Sequence, residues 1–319
     1  MDFDVNNSAP EGSGLFALPF GIDDAEIVVV PVPWDATSSQ DKTSSGAPQA
    51  VYEASMYVEL FDARYGRLYR RGIAMDAAVE DIRDLNATAI EYQTFPDFDP
   101  GTLDDPCEAL NAIVRKQVAE HLIAGKRVGL LGGDHSVSYG SIAAHLEKYP
   151  EMSILQIDAH CDLRCAFDGI TWSHASIMYN VLERLGAPRL IQVGVRALCD
   201  FESEYVETSD RAHAFFDCDI HDRRSAGESW SEICSSIVNR LADTVYVSLD
   251  IDGLDPSNCP HTGTPVPGGL SYNDTLVLLR AVSASGRRIV GFDLVEVGAA
   301  PFDANIAAHL LYQLCGALD

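Results

Sequence analysis

Lysine is scarce in this chain of 319 residues: Lys42, Lys116, Lys126 and Lys148 are the full set. With 22 basic residues against 48 acidic ones, the formal charge is -26. A surface that negative argues against nucleic acid and anionic membranes as partners, because both are polyanions. It favours approach of a cationic molecule, and it serves equally as a solubility or salt adaptation. Long apolar runs are missing too. None approaches the ~20 residues of a membrane helix, so no membrane span is expected. The first residues, MDFDVNNSAPEGSG, lack the basic and apolar regions of a secretory leader. None of the eight cysteines pairs with another at CxxC spacing, which fits reduced thiols and a cytoplasmic location. Low-complexity linkers and internal repeats are also lacking. The expected organisation is a peripheral N-terminal arm over residues 1–20 and one domain over 21–319.

What the chain does have is alternation. Apolar β-rich runs at 26–32, 72–75, 128–131, 153–157, 190–195, 214–216, 244–249 and 288–294 read as strands. Continuous runs such as IVVVPV suit strands buried on both faces of a parallel sheet. Helical patterns lie between them at 106–124, 140–148, 174–185, 229–242, 272–283 and 305–314. The Asp- and Pro-rich stretch 93–105 reads as a surface loop. Strand–helix alternation over the whole length means an α/β fold with helices on both faces of the sheet.

In such sheets chemistry gathers at the carboxyl ends of the strands. Three ends stand out. GGDHS follows the third strand and contains His135; DAHCD follows the fourth, with Asp158, His160 and Asp162; DIDGLDP follows the seventh, with Asp250 and Asp252. In extended chain, residues at i, i+2 and i+4 point the same way, so Asp158, His160 and Asp162 are expected to converge, as are Asp250 and Asp252. A lone DxD is often a turn, and GGDH alone is often a tight turn with a helix cap. Together they place four carboxylates and two imidazoles in one region. Mutual repulsion and desolvation make that unfavourable without cations. A metal centre follows. Oxygen-rich ligation with two imidazoles suits Mn2+, with Ni, Co, Zn or Fe as alternatives.

At these residues the chain resembles the ureohydrolase (arginase/agmatinase) family. The matching segments are GGDHS (132–136), DAHCDLR (158–164), SHAS (173–176), SLDIDGLDP (248–256), GTPVPGGL (263–270) and GFDLVEV (291–297), with VPVPWDATSS (30–39) like the family's first strand and loop. The resemblance implies a three-layer α/β/α fold with a central, mostly parallel sheet of about eight strands. It implies two Mn2+ ions, one held by His135, Asp158, Asp162 and Asp250 and the other by His160, Asp158, Asp250 and Asp252. Asp158 and Asp250 would then bridge. It implies that Asp162 and His174 carry protons, that His174 also contacts substrate, and that Glu296 grips a guanidinium. The implied reaction cleaves a small guanidino substrate to urea and an amine, in a homo-oligomer (trimer or hexamer).

The chain departs from the family pattern at QDKTSS (40–45), at Gly298, where Asn-Pro is usual, and at Cys161, Cys165 and Ala166. The run from Asp162 to Trp172 lacks the Asn and paired Ser of arginases, so the agmatinase branch is nearer and agmatine is the expected substrate. Guanidinobutyrate, guanidine, guanidinopropionate and arginine stay open. So do a non-catalytic metal-binding member and a one-zinc deacetylase on a related fold.

Overall fold

A computed structural model of the chain describes residues 12–40 and 42–319. Eight strands form one sheet: β1 (Ile27–Val32), β2 (Ile73–Met75), β3 (Arg127–Gly132), β4 (Ser153–Ile157), β5 (Arg189–Val195), β6 (Ala212–Phe216), β7 (Thr244–Asp250) and β8 (Arg288–Val295). Their order is β2-β1-β3-β8-β7-β4-β5-β6, and every pairing is parallel. The sheet is thus wholly parallel, beyond the mostly parallel expectation, and each crossover needs a helix.

The described residues hold ten helices, of which the first nine lie in the crossovers and the last follows β8: α1 (Ala47–Ser55), α2 (Glu80–Tyr92), α3 (Asp104–Ile123), α4 (Ser138–Lys148), α5 (Ile177–Glu183), α6 (Asp200–Thr208), α7 (Asp217–Ser225), α8 (Trp230–Val238), α9 (Tyr272–Ala284) and α10 (Pro301–Ala317). Alternation along the strands sorts the core into two layers. Ile27, Leu155, Ile157, Val245 and Val247 pack with side chains of α1, α8, α9 and α10. Val30, Val128 and Leu130 pack with α2 and α3 on the opposite face, where Ile154, Leu190 and Tyr246 meet α4 and α5. This is the three-layer α/β/α architecture.

Two irregularities matter. Pro31 lies in β1, yet β2 pairs with β1 only as far as Val29. Its missing N–H therefore interrupts no ladder. In β8 the register skips Val290: Ile289 pairs with Val245, and Gly291 with Tyr246. A one-residue bulge reverses the alternation beyond it. That brings Asp293 level with Ser248, beneath the carboxyl edge of the sheet.

Several expectations need correction. Residues 1–11 of the expected arm lie outside the described residues. Within the rest, Leu15, Phe16 and Leu18 are fully buried and belong to the core with α1 and α10, so this part is not peripheral. Four helices, α1, α2, α6 and α7, were not foreseen. Three of them are short, and α2 and α7 expose most of their charged residues, which blurs the apolar stripe. The stretch 93–105 is not all loop: a 3-10 turn spans Pro100–Leu103, and α3 starts at Asp104. The helix expected over 174–185 opens as a 3-10 turn, His174–Ser176, before α5.

Gly291 shows how tightly α4 lies on the sheet. A Cβ there would run into the His145 ring, which is fully buried and held by Nδ1 2.8 Å from the Ser141 carbonyl. Gly291→Ala is expected to cost about 1–3 kcal/mol by overpacking, read as a lower urea midpoint. The penalty should shrink in a His145→Ala background; equal penalties in both backgrounds would contradict this contact.

Candidate metal centre

The four central strands, β3, β8, β7 and β4, release their chains at one edge of the sheet. His135 follows β3, Asp158, His160 and Asp162 follow β4, Asp250 closes β7, and Glu296 follows β8. All eight residues singled out in the sequence meet there. Two compact groups form, His135 with Asp158 and Asp162, and Asp158 with His160 and Asp252. Asp158 belongs to both. Asp250 falls outside these groups, with Oδ2 3.5 Å from His135 Nδ1.

The convergence does not come from strand alternation. β4 ends at Ile157, and Asp162 has a left-handed backbone, φ 55°. Asp252 sits on a 3-10 turn, Ile251–Gly253. The turns are instead built by the carboxylates themselves. Asp250 Oδ1 accepts the Asp252 N–H (2.8 Å). Asp252 Oδ1 accepts the Ala159 N–H across strands (3.0 Å). Asp158 Oδ1 accepts the His160 N–H (2.6 Å). In Asp250 and Asp252 the other oxygen faces an imidazole: Asp252 Oδ2 lies 3.0 Å from His160 Nδ1. His135 Nδ1 faces Asp162 Oδ2 at 2.9 Å and Asp158 Oδ2 at 3.2 Å.

His135 is oriented from behind. Its Nε2 lies 2.9 Å from Ser248 Oγ, which donates to Asp293 Oδ1 (2.9 Å). Such outer partners fix which imidazole nitrogen is presented to a metal. The bulge in β8 is what brings Asp293 to this position. Asp134, beside His135, accepts from Thr37 Oγ1 (2.8 Å), and the same hydroxyl accepts the His174 N–H (3.1 Å). The first loop and the SHAS turn are thereby joined to GGDHS.

The electrostatics fit a metal pair. Asp158, Asp162, Asp250 and Asp252 are all buried, with ligand atoms in each compact group within 4.8 Å. At about 4 Å, two like charges repel by roughly 4 kcal/mol even at an effective dielectric of 20. Burial, then repulsion from Asp158, pushes the Asp162 carboxyl up to about 7. Burial with the charges of Asp252 and Asp158 drives Asp250 well above the carboxylate range. Burial opposes protonation of His160, but its bonds to Asp158 and Asp252 outweigh that and push it up to about 12. Against its burial, the two imidazoles hold Asp158 below the carboxylate range, yet Asp162 and Asp250 still resist ionising and His135 and His160 hold their protons, which marks a shortage of positive charge. Divalent cations would relieve it and displace those protons. The hard-oxygen and imidazole donor set suits them.

A cavity of about 370 Å3 opens above the cluster. His174 and Glu296 form part of its wall. His174 Nε2 lies 3.0 Å from Ser39 Oγ, and desolvation lowers its imidazole to about 4, so it is neutral at neutral pH. Glu296 is 8% exposed and left-handed, φ 58°. For a residue with a Cβ this costs about 1–3 kcal/mol, and surrounding contacts must hold it. Its Oε1 accepts the His135 N–H (2.9 Å). Burial, then the Asp134 charge, raises its carboxyl well above the usual range. Sequence reasoning assigned no role to Ser39, Glu202 or Thr264, which also line the cavity, and it expected the loop 161–174 to face the substrate without singling out Arg164 or Phe167, which line it too. Arg164 lies over the Phe167 ring at 5.1 Å. Its Nε is 3.7 Å from Glu202, which sits on the unforeseen helix α6. A larger groove of about 810 Å3 lies beside β1 and β2 between α1 and α2. Among the described residues it holds neither of the two compact groups.

The family described as the arginase family matches residues 25–318. The chain belongs to the arginase family. It is 36% identical over 296 residues to N(1)-aminopropylagmatine ureohydrolase of Thermus thermophilus, covering 92% of this chain and 90% of that one. It is 28% identical to agmatinase of Bacillus anthracis, over 86% of this chain and 84% of the relative. Among solved structures, agmatine ureohydrolase of Thermoplasma volcanium superimposes with a TM-score of 0.74 at 26% identity, covering 93% of this chain and 91% of that chain. The chain is therefore an agmatinase-like ureohydrolase, of a family that depends on a binuclear metal centre. Among the described residues, no helix is long and apolar enough to cross a membrane.

If the six residues hold the metals, Asp250→Ala is expected to lower bound manganese below one ion per chain and to cut activity at least a thousandfold. Metal analysis after dialysis, beside a circular dichroism spectrum of the folded variant, checks this. Wild-type metal content in the variant would remove Asp250 from the ligand set.

Proposed function

We propose that this ureohydrolase hydrolyses agmatine to putrescine and urea with two Mn2+ ions per chain. His135, Asp158, Asp162 and Asp250 would hold one ion, and His160, Asp158, Asp250 and Asp252 the other. The supporting observation is that four buried carboxylates and two imidazoles gather at one sheet edge, and that Asp162, Asp250 and both imidazoles line the same cavity as Glu296. A bound metal pair would supply water acidified toward neutrality and positive charge for the developing anion.

The chain's own residues do the rest. Glu296 binds the guanidinium by charge-assisted hydrogen bonds. A buried carboxylate that resists ionising is a strong partner for a substrate that brings its own positive charge. Asp162 takes a proton from the attacking water and delivers it to the leaving nitrogen. His174, neutral beside Ser39, hydrogen-bonds the substrate and relays a proton at Nε2. Water adds its oxygen to the guanidinium carbon, the C–N bond to the alkyl chain breaks, and the proton goes to the departing amine. The products are urea and the amine. Phe167 and Leu198 give the cavity wall apolar surface for a methylene chain.

The identity to an aminopropylagmatine ureohydrolase favours a second reading, in which the agmatine carries an aminopropyl extension. Leu198, on the cavity wall, and Phe201, three residues on in the chain, are 37% and 46% exposed and offer apolar surface to a longer chain. In either reading the substrate is a cation, in keeping with a net charge of -26. We also infer a cytoplasmic homo-oligomer.

Urea release with added Mn2+ from agmatine, N(1)-aminopropylagmatine, guanidinobutyrate, guanidinopropionate, guanidine and arginine tests both readings. The expected result is a kcat/KM for agmatine or its aminopropyl derivative at least tenfold above that of every carboxylate-bearing compound. Preference for guanidinobutyrate would overturn the amine reading, and no urea from any compound would overturn the enzyme reading.

A further inference from the structure

Glu296 is held in its left-handed conformation by three contacts. Its N–H donates to the Gly133 carbonyl (2.8 Å), its Oε1 accepts from the His135 N–H, and its own carbonyl accepts from Thr262 Oγ1 (2.8 Å). The first two belong to the GGDHS strand end. The third comes from a separate loop after β7, and that loop has an anchor of its own.

The anchor is Asp303, in the first turn of α10 and fully buried. A carboxylate there commonly caps its own helix, but α10, with Ala300 at its N-cap, has no side-chain cap. Both Asp303 oxygens go instead to His261. Oδ2 accepts the His261 N–H at 2.9 Å, and Oδ1 lies 2.9 Å from His261 Nδ1. The His261 side chain is itself 59% exposed, so the carboxylate is not buried for the sake of a buried ring. Gly298 completes the arrangement. A Cβ at that position would run into the His261 carbonyl, so the departure from the family's Asn-Pro is what lets the two loops close together. The same loop carries Thr264, on the cavity wall, with Oγ1 3.4 Å from Asp252 Oδ2.

We propose that His261 and Asp303 form a positioning clamp that acts through Thr262 to set Glu296 for the guanidinium, and so determines the affinity of this site for guanidino substrates. The proposal rests on the reading of Glu296 as the guanidinium ligand. Neither His261 nor Asp303 is hydrogen-bonded to a metal ligand, and neither lines the cavity. The clamp works on the backbone of Glu296, where a small rotation moves the carboxylate across the cavity.

Manganese-loaded His261→Ala, Thr262→Val and His261→Asn test it. Asparagine places an amide N–H about where Nδ1 sits, so it restores the donor. His261→Ala and Thr262→Val should raise KM for the best substrate at least tenfold, with kcat changed less than threefold and both metal ions retained. His261→Asn should return KM to within threefold of the wild type. A KM unchanged in the first two variants would overturn the proposal, and so would a failure of asparagine to rescue. Hydrogen exchange of the peptide spanning residues 294–303 gives a readout that needs no substrate. It should quicken at least tenfold in His261→Ala and not in His261→Asn; unchanged protection would overturn the clamp. Should the wild type release no urea from any guanidino compound, the role of Glu296 fails, while hydrogen exchange still decides whether the clamp exists.

Discussion

Repulsion among carboxylates that cannot reach water is the constraint around which this molecule is arranged. Asp158, Asp162, Asp250 and Asp252 crowd one end of the sheet, and Glu296 closes the cavity above them. No apolar packing offsets that cost locally. It is met in two ways: by backbone N–H groups that point at the carboxylates, and by a donor set that divalent cations satisfy. The rest of the fold supplies the rigidity. A wholly parallel sheet, covered on both faces, fixes the ends of four adjacent strands against one another.

Within that frame the loops act as braces between motifs far apart in sequence. Asp134 fastens the first loop through Thr37, and Thr37 in turn receives the SHAS turn. Ser248 and Asp293 orient His135 from neighbouring strands, and they meet only because β8 carries a bulge. The loop after β7 returns to Glu296 and is itself moored to α10. Each brace fixes a side chain that touches the cavity by means of one that does not.

The sequence made the chemistry legible before the fold. Strand positions followed from apolar runs, since strands buried on both faces have no polar alternation to obscure them. The metal-type residues followed from their density at strand ends. The reason for their convergence was not legible. Strand alternation was the expected cause, but Asp162 turns left-handed and Asp252 lies on a 3-10 turn, and neither follows from spacing. Helices α6 and α7 are short and polar, so their stripes were too weak to see, and Glu202 on α6 went unnoticed with them. The braces were hidden for another reason. Asp293, Ser248 and Thr37 lie inside recognised motifs, yet nothing in a linear motif says that they touch. Gly298 stood out as a departure, and the contact that explains it, with His261, is 37 residues away in the chain.

The carboxylate turns carry a consequence for how such a centre is loaded. Asp158, Asp250 and Asp252 each hold a backbone N–H with one oxygen, so the protein scaffold itself helps to set their positions. A metal entering this site meets a donor set whose turns are braced by the chain's own hydrogen bonds. Occupancy is then governed by the free concentrations of competing ions and by the Irving–Williams order. The residues at this sheet edge prescribe a shape and a charge, and the surroundings choose the element.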